Sequence, residues 1–473
     1  MFEHYLGAEK FRRGVSSYLS AHADGSGSTD DLLHALSKEA GFDVVAPFHT
    51  FLDQAGLPLV QAEVSCADTS MLTLKQSRFL PLGSEAKQDR SWQIPVCFRL
   101  GKSGGGAGAQ CVLLTQAQTS IEVPECPTWV MPNADGAGYY RWSMPGAELK
   151  KLQLGYSSLS TAERISLAES LTAGVSSGAI TIADALDALD PIARDEDGEV
   201  AIEAIPILYL VRDRLLPENQ HAQLNRYAIA LFGPAAKRLG YAAKKGESIG
   251  SRRLRAAVLK LLAWAEDPAA VKKLSALGLD YAGLGKKYHD GKFHPDAIDA
   301  DLADIALAVA VEHGDLALFE ALEKRLAETD DAALREQVIT ALSSVRDRAR
   351  IDRVLALTLS DRLRKSEILW GPLYLLSLDP RTRDDSWAFV KAHYDALVPR
   401  LPEAFAVAIL PWVARGYCDE AHAADATAFF APRAEKVPGM PKNSRQAVEG
   451  IRLCAAMAAA QSESARAFFD ARP

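Results

Sequence analysis

The sequence predicts an α+β protein that is mostly α, and the prediction rests on changes in hydrophobic period along the chain. Apolar residues recur at helical spacing over residues 1–57, at period two over 58–145, and at helical spacing again over 146–473. A short helical piece, a small antiparallel β-sandwich and a large HEAT-like α-solenoid are the domains those changes imply. At 473 residues, 48% hydrophobic and 24% charged, the chain has ordinary globular composition and ample length to bury a core.

In 1–57, Phe11, Val15, Tyr18 and Leu19 share one helical face, and Leu32, Leu33 and Leu36 form the next stripe. DGSGS separates them as a loop, Ser28 with Asp31 is a capping pair, and Gly41 ends the second helix. A third short helix, around 47–54, closes with Gly56 and Pro58. The opening MFEHYLGAEKFRRG is broken by charge and glycine, unlike a secretory signal, and reads as if cut into a helix. Phe2, Tyr5, Leu6, Phe11, Val15, Tyr18, Leu19, Leu33 and Leu36 exceed what one thin helical layer buries, so 1–57 is expected either to be the least protected part of the fold or to sit in a self-association contact.

In 58–145, Val60, Ala62, Val64 and Cys66 alternate along one strand, and Trp92, Ile94, Val96, Phe98 and Leu100 along another. GKSGGGAGAQ is a hairpin loop between strands ending near Leu100 and starting near Cys111. The domain boundary falls at Pro145-Gly146. Beyond it, amphipathic stretches follow one another with breaks such as EDP, VEHGD and SLDP, and 302–313 pairs with 316–328, then 332–345 with 351–360.

Composition excludes several functions. Net charge is −8 with the signs interspersed, so neither nucleic acid nor an anionic lipid surface is an expected partner. No apolar run approaches the ~20 residues of a membrane span, so the chain reads as soluble. Cys66, Cys97, Cys111, Cys126, Cys418 and Cys454 show no C-x-x-C or zinc-ribbon spacing and read as buried free thiols. None of the ten histidines sits in H-E-x-x-H. KKYHDGKFHPD gathers His289, Asp290, His294 and Asp296, a ligand-like set better explained as a polar surface loop. Gly101-Lys102-Ser103 imitates the end of a P-loop, but Val96 stands where its first glycine belongs. Arg252, Arg253 and Arg255 open a helix, as a solvated face or, alternatively, a carboxylate-binding face of a peptide cavity. No catalytic, cofactor-binding or metal-ligating residue is nominated.

Several segments, in order, resemble the aminopeptidase N, puromycin-sensitive and endoplasmic-reticulum aminopeptidase family. LGAEKFRRGVSSYLSAHADGSGSTDDLLHAL is similar to the passage after the family's catalytic tyrosine, and FHTFLDQAGLPLV to its W-x-x-Q-x-G-x-P-x-V element, with Phe51 in place of the tryptophan. Gln76-Ser77-Arg78-Phe79, Trp92-Gln93-Ile94-Pro95-Val96 and WVMPNADGAGYYR resemble landmarks of its small β-domain. LSTAERISLAESLTAGVSSGAI resembles the opening of its C-terminal helical domain, and DDSWAFVKAHYDAL with Cys418, Phe429, Phe430 and Glu449-Gly450-Ile451-Arg452 its end.

The resemblance implies that 1–57 is the tail of a catalytic metallopeptidase domain and that 146–473 forms a bowl enclosing peptides. It also implies that the family's zinc ligands and transition-state tyrosine precede the first residue here. Zinc would then belong to the full-length parent, which removes N-terminal amino acids, and this chain alone would be inactive. The alternatives are a non-catalytic solenoid-type interaction module, or a subunit complemented in trans by a catalytic half.

Overall fold

Capping chemistry sets the first helices. In the computed structural model, which describes residues 1–102, 105–106, 108–402 and 405–472, these are α1 (Phe2–Leu6), α2 (Ala8–Ala21), α3 (Thr29–Ala40) and α4 (Val45–Leu52). Ser28 Oγ accepts from Asp31 N at 3.2 Å while Asp31 accepts from Ser28 N at 2.8 Å, the expected reciprocal cap. Gly41, at φ 82°, ends α3 in the left-handed conformation open to glycine. α2 crosses α3 at Gly14, where a Cβ would stand 2.7 Å from Leu36 Cδ2.

This layer buries more of its own apolar surface than its sequence suggests. Phe2, Leu6, Leu33, Leu36, Ala40 and Val44 form a core, with Tyr5, Phe11 and Val15 packed against it. Tyr18 covers Gly27, and only Leu19 of the expected apolar set is exposed, at 60%. The short α1, folding back on the pair, supplies the cover.

The strands are β1 (Pro58–Cys66), β2 (Ser70–Arg78), β3 (Ile94–Lys102), β4 (Gly105–Gly106), β5 (Gln110–Leu114), β6 (Gln118–Val123), β7 (Val130–Met131) and β8 (Arg141–Ser143). One sheet runs β6-β2-β1-β8; the other runs β4-β3-β5, with β7 also on β3. Every pairing is antiparallel except β1 with β8, which is parallel at Leu59↔Arg141. β8 is too short for period two to announce it, so an all-antiparallel reading missed it. The Gln76 side chain links β2 to the start of β3, donating to the Trp92 carbonyl and accepting from its amide, both at 2.8 Å. Trp92, Ile94, Val96, Phe98 and Leu100 are all buried, as their alternation requires. The β3–β5 hairpin forms as expected, although Ser103, Gly104 and Ala107 of its loop, the last P-loop-like position among them, lie outside the described residues.

The cysteines correct the sequence reading. All are paired: Cys66 with Cys126, Cys97 with Cys111, and Cys418 with Cys454. Register explains one of them, since β3 and β5 set Cys97 directly opposite Cys111. The other two close separations of 60 and 36 residues that no spacing rule could connect.

Two units emerge, Met1–Ala204 and Ile205–Pro473. The first continues past the strands through α5 (Gly146–Leu154), α6 (Thr161–Ser177), α7 (Ile182–Asp187), α8 (Leu189–Ala193) and α9 (Gly198–Ile202). The 146–473 stretch, contiguous in its helical pattern, is therefore divided between the units. Buried Glu163 on α6 explains why these helices stay with the sheet. Its carboxylate takes Arg99 Nη1 of β3 at 2.6 Å, the Asp135 amide at 3.2 Å and the Ser160 amide at 2.8 Å.

The regular elements of the second unit's described residues are helices: α10 (Ile205–Leu210), α11 (His221–Leu239), α12 (Ile249–Trp264), α13 (Pro268–Tyr281), α14 (Ala300–His313), α15 (Leu316–Glu328), α16 (Ala332–Leu342), α17 (Arg348–Leu357), α18 (Lys365–Ile368), α19 (Tyr374–Leu378), α20 (Arg383–Leu397), α21 (Phe405–Ile409), α22 (Glu420–Ala434) and α23 (Met440–Asp470). Aspartates start many of them: Asp267 accepts from Ala270 N at 2.7 Å, Asp331 from Leu334 N at 2.8 Å and Asp347 from Arg350 N at 3.0 Å. α13 and α14 approach closely at Gly278, where a Cβ would lie 2.3 Å from the Ala306 carbonyl.

Arginines then join one helix pair to the previous one. Arg325 donates to the Ala282 and Gly291 carbonyls, Arg350 to Val311 and Gly314, Arg362 to Glu323, and Arg400 to Ser360 and Leu363. The Ala282, Val311 and Gly314 carbonyls sit at helix C-terminal ends, where backbone oxygens lack intrahelical donors and the dipole is negative. No helix among the described residues is long and apolar enough to cross a membrane.

Candidate functional site

A cavity of about 310 Å3 opens in the second unit between α12, α14, α16 and α19. Trp264, Ile305, Val309 and Leu375 give it apolar walls, and its polar rim is built at helix ends. Glu312 lies at the end of α14, Arg346 follows α16, and Asp379 and Arg381 follow α19. Arg346 lies 3.0 Å from both Glu312 and Asp379, while Arg381 lies 3.0 Å from Asp379 and 3.4 Å from Glu312. The result is a closed ring of alternating charge. Burial alone would raise the Asp379 pKa, but the hydrogen bond from Arg381 and the two guanidinium charges outweigh it and hold the carboxyl below its ordinary value. Burial lowers the Arg346 pKa.

Beside Trp264, positive charge is in excess. Arg212 stacks 3.4 Å from the Trp264 ring centroid and donates to its carbonyl at 2.8 Å. Arg214 and Arg383 both donate to one acceptor, the Gly416 carbonyl. Burial first, then the like charge of Arg383, pushes the Arg214 pKa down to about 10. Asp213 is the carboxylate among them, and burial raises its pKa despite Arg212. Three guanidinium groups thus meet Asp213 and, at Arg383, Asp384 as well, with Arg212 and Arg383 themselves buried. Guanidinium binds carboxylates through paired N–H groups, which suits the cluster to a further carboxylate.

The arginines singled out in sequence do other work. Arg252 pairs with Asp301 at 2.8 Å, Arg255 is buried against Glu247, and Arg253 is exposed on the same turn. Arg252 and Arg253 lie on a solvated face, as the simpler reading expected, but Arg255 is buried and does not. His294 bonds Asp290 at 2.8 Å and stacks on Tyr288, while His289 and Asp296 are exposed, so KKYHDGKFHPD is a surface loop.

The family resemblance implies zinc, whose catalytic sites use three protein ligands and an open position. With the cysteines disulfide-bonded, the described residues do not fit it. His49 is held between Asp30 and Asp53, each at 2.8 Å, and His422 bonds Asp419. Among the described residues, the His/Cys/Asp/Glu group whose donor atoms converge is His4 with Cys97 and Cys111, and those sulfurs are bonded to each other.

Sequence reasoning missed the charge ring. Glu312 and Asp379 come from VEHGD and SLDP, segments recognised only as breaks between helices, and Arg346 from the connection between the 332–345 and 351–360 stretches. Their recurrence after successive helices was the available signal.

The sequence profile of the ERAP1-like C-terminal domain family matches residues 129–453, which includes the whole cavity. The chain is 25% identical to aminopeptidase M1 of Arabidopsis thaliana over 96% of its own length and 52% of that protein's. It is 23% identical to endoplasmic reticulum aminopeptidase 2 of Homo sapiens, covering 85% and 44% respectively, and 25% identical to aminopeptidase N of Lactococcus lactis subsp. lactis, covering 75% and 40%. It thus spans about half the length of the relatives it matches. On the profile match and these relatives together, the chain belongs to the ERAP1-like C-terminal domain family and corresponds to the C-terminal half of an M1-type aminopeptidase.

Proposed function

We propose that this chain is the substrate-handling portion of a zinc-dependent aminopeptidase, holding peptides whose N-terminal residues a catalytic domain of the parent removes. The observation that carries the reading is the cavity beside Trp264, with its self-compensated charge ring and adjoining excess of guanidinium. It offers apolar walls for side chains and positive charge for a peptide carboxylate. The helix pairs, joined by arginines at each step, are consistent with a HEAT-like bowl whose inner face meets the peptide.

The test uses the chain itself. A fluorescent peptide of about ten residues should bind with measurable anisotropy change, and Arg214→Ala should weaken binding about tenfold, the loss of one charge-assisted contact. Aminoacyl chromogenic substrates should yield no free amine, with or without zinc. Chelator-sensitive turnover that survives purification would contradict the division of labour, and unchanged binding by Arg214→Ala would contradict the site.

A further inference from the structure

Soft metal ligands converge in the first unit at a place the proposed function does not use. The β3–β5 register sets Cys97 opposite Cys111, and their sulfurs are bonded. α1 packs on β3 and carries His4, so that one imidazole nitrogen and both sulfurs lie within 4.8 Å of one another. Asp135 lies 3.8 Å from His4 Nε2. Cys97 is buried, and His4 is partly exposed to solvent at 28%, which leaves an entry path.

We propose that Cys97, Cys111 and His4 form a redox-gated site for a soft divalent cation of the zinc class, able to take metal once the disulfide is reduced. A dithiol reductant passes two electrons into the S–S bond, becomes a disulfide itself, and leaves two thiols. The cation then displaces both thiol protons to solvent, forming two metal–sulfur bonds and one metal–nitrogen bond to neutral His4. Water or the Asp135 carboxylate fills the fourth position. Thiolate with imidazole selects zinc over magnesium or calcium, which prefer oxygen ligands.

Of the three disulfides this one opens at least cost to the fold. Its cysteines are 14 residues apart, against 36 and 60 for the others, so the loop entropy it removes from the unfolded chain is the smallest. Ladder pairs from Ile94↔Leu114 to Phe98↔Gln110 keep the thiols face to face after the bond breaks. Zinc–sulfur bonds of ~2.3 Å in a tetrahedron place the sulfurs about 3.7 Å apart, a separation reached by side-chain rotation. The two states differ in what they tie together. The disulfide joins β3 to β5, whereas the metal also ties α1 to the sheet through His4.

Cobalt(II) is the probe. The full chain is reduced with dithiothreitol, desalted without oxygen and titrated with Co2+, and the oxidised chain is titrated alongside. The reduced chain should take one equivalent with a thiolate-to-cobalt absorption band, and the oxidised chain should show none. Cys66→Ser/Cys126→Ser and Cys418→Ser/Cys454→Ser should keep the band, Cys97→Ser/Cys111→Ser should lose it, and His4→Ala should bind at least about tenfold more weakly. If the Cys97/Cys111 variant does not fold, alkylation of the reduced wild type decides. Zinc should slow modification of Cys97 and Cys111 and leave the other four cysteines unaffected. Absence of the band in a reduced, folded chain, alkylation indifferent to zinc, or His4→Ala binding as tightly as wild type would each overturn the site.

Discussion

Polar and covalent ties in Met1–Ala204 reach far along the chain: Cys66 meets Cys126 across 60 residues and Arg99 meets Glu163 across 64. In Ile205–Pro473 the recurring ties from Arg350, Arg362, Arg364 and Arg400 join residues 34 to 40 apart, about one helix pair. The first unit needs distant segments in place before its sheets close. The second is built stepwise through its arginine ties, each donating to carbonyls of an earlier helix pair, but it is also tied across its length, by Arg214 on Gly416 over 202 residues and Gln220 on Asp470 over 250. Damage should therefore spread through the first unit, and in the second should stay local where it strikes the arginine steps.

The largest effect expected is in the first unit. Cys66→Ser with Cys126→Ser should lower stability by about 4 kcal/mol on the chain-entropy model, with Cys97→Ser/Cys111→Ser nearer about 3 kcal/mol. Urea unfolding followed by tryptophan fluorescence, compared under oxidising conditions, gives the difference. In the second unit, Arg335→Ala should cost about 3 kcal/mol, because Glu367 and the Leu326, Thr329 and Arg362 carbonyls all lose their donor. Amide exchange should rise around 326–367 and leave 205–260 unchanged; a uniform rise would break the contrast between the units. Gly14→Ala forces a methyl onto Leu36 and should cost about 2 kcal/mol. Asp331→Ala removes one helix cap and should cost about 1 kcal/mol, seen as fraying of α16 alone.

The smallest effect is a pH dependence in the first unit. Hydrogen bonds to Asp30 and then Asp53 raise the His49 pKa above its ordinary value. Its contribution is therefore full below about pH 6.5, the unfolded value, and is lost as pH rises through the raised folded value. An NMR titration should show His49 titrating above 6.5 in wild type and lower in Asp53→Asn. Identical midpoints would remove the bridge from the account.

What was legible in the sequence follows the same contrast. Local signals read well: the Ser28–Asp31 cap, the β3 alternation, and the break aspartates Asp267 and Asp315, each of which caps a helix. Long-range pairings did not. Neither the parallel β1–β8 contact nor the disulfides are encoded in any window that periodicity samples. The division at Ala204 was hidden because α5–α9 have the same helical pattern as the helices that follow. What holds them to the sheet are contacts distant in sequence, among them Glu163 on Arg99, Glu169 on Arg141 and Ser166 on Trp142. At the candidate site, Arg214 and Arg383 are 169 positions apart and acquire their shared acceptor, Gly416, only in the fold.

The most direct test of the central claim, that the charged face beside Trp264 receives a peptide carboxylate, is calorimetric. One peptide is titrated into the chain as its free acid and as its C-terminal amide, with Arg383→Ala as a second host. The account predicts that amidation weakens binding to wild type about tenfold and barely changes binding to Arg383→Ala. Equal affinity of acid and amide for wild type would contradict it.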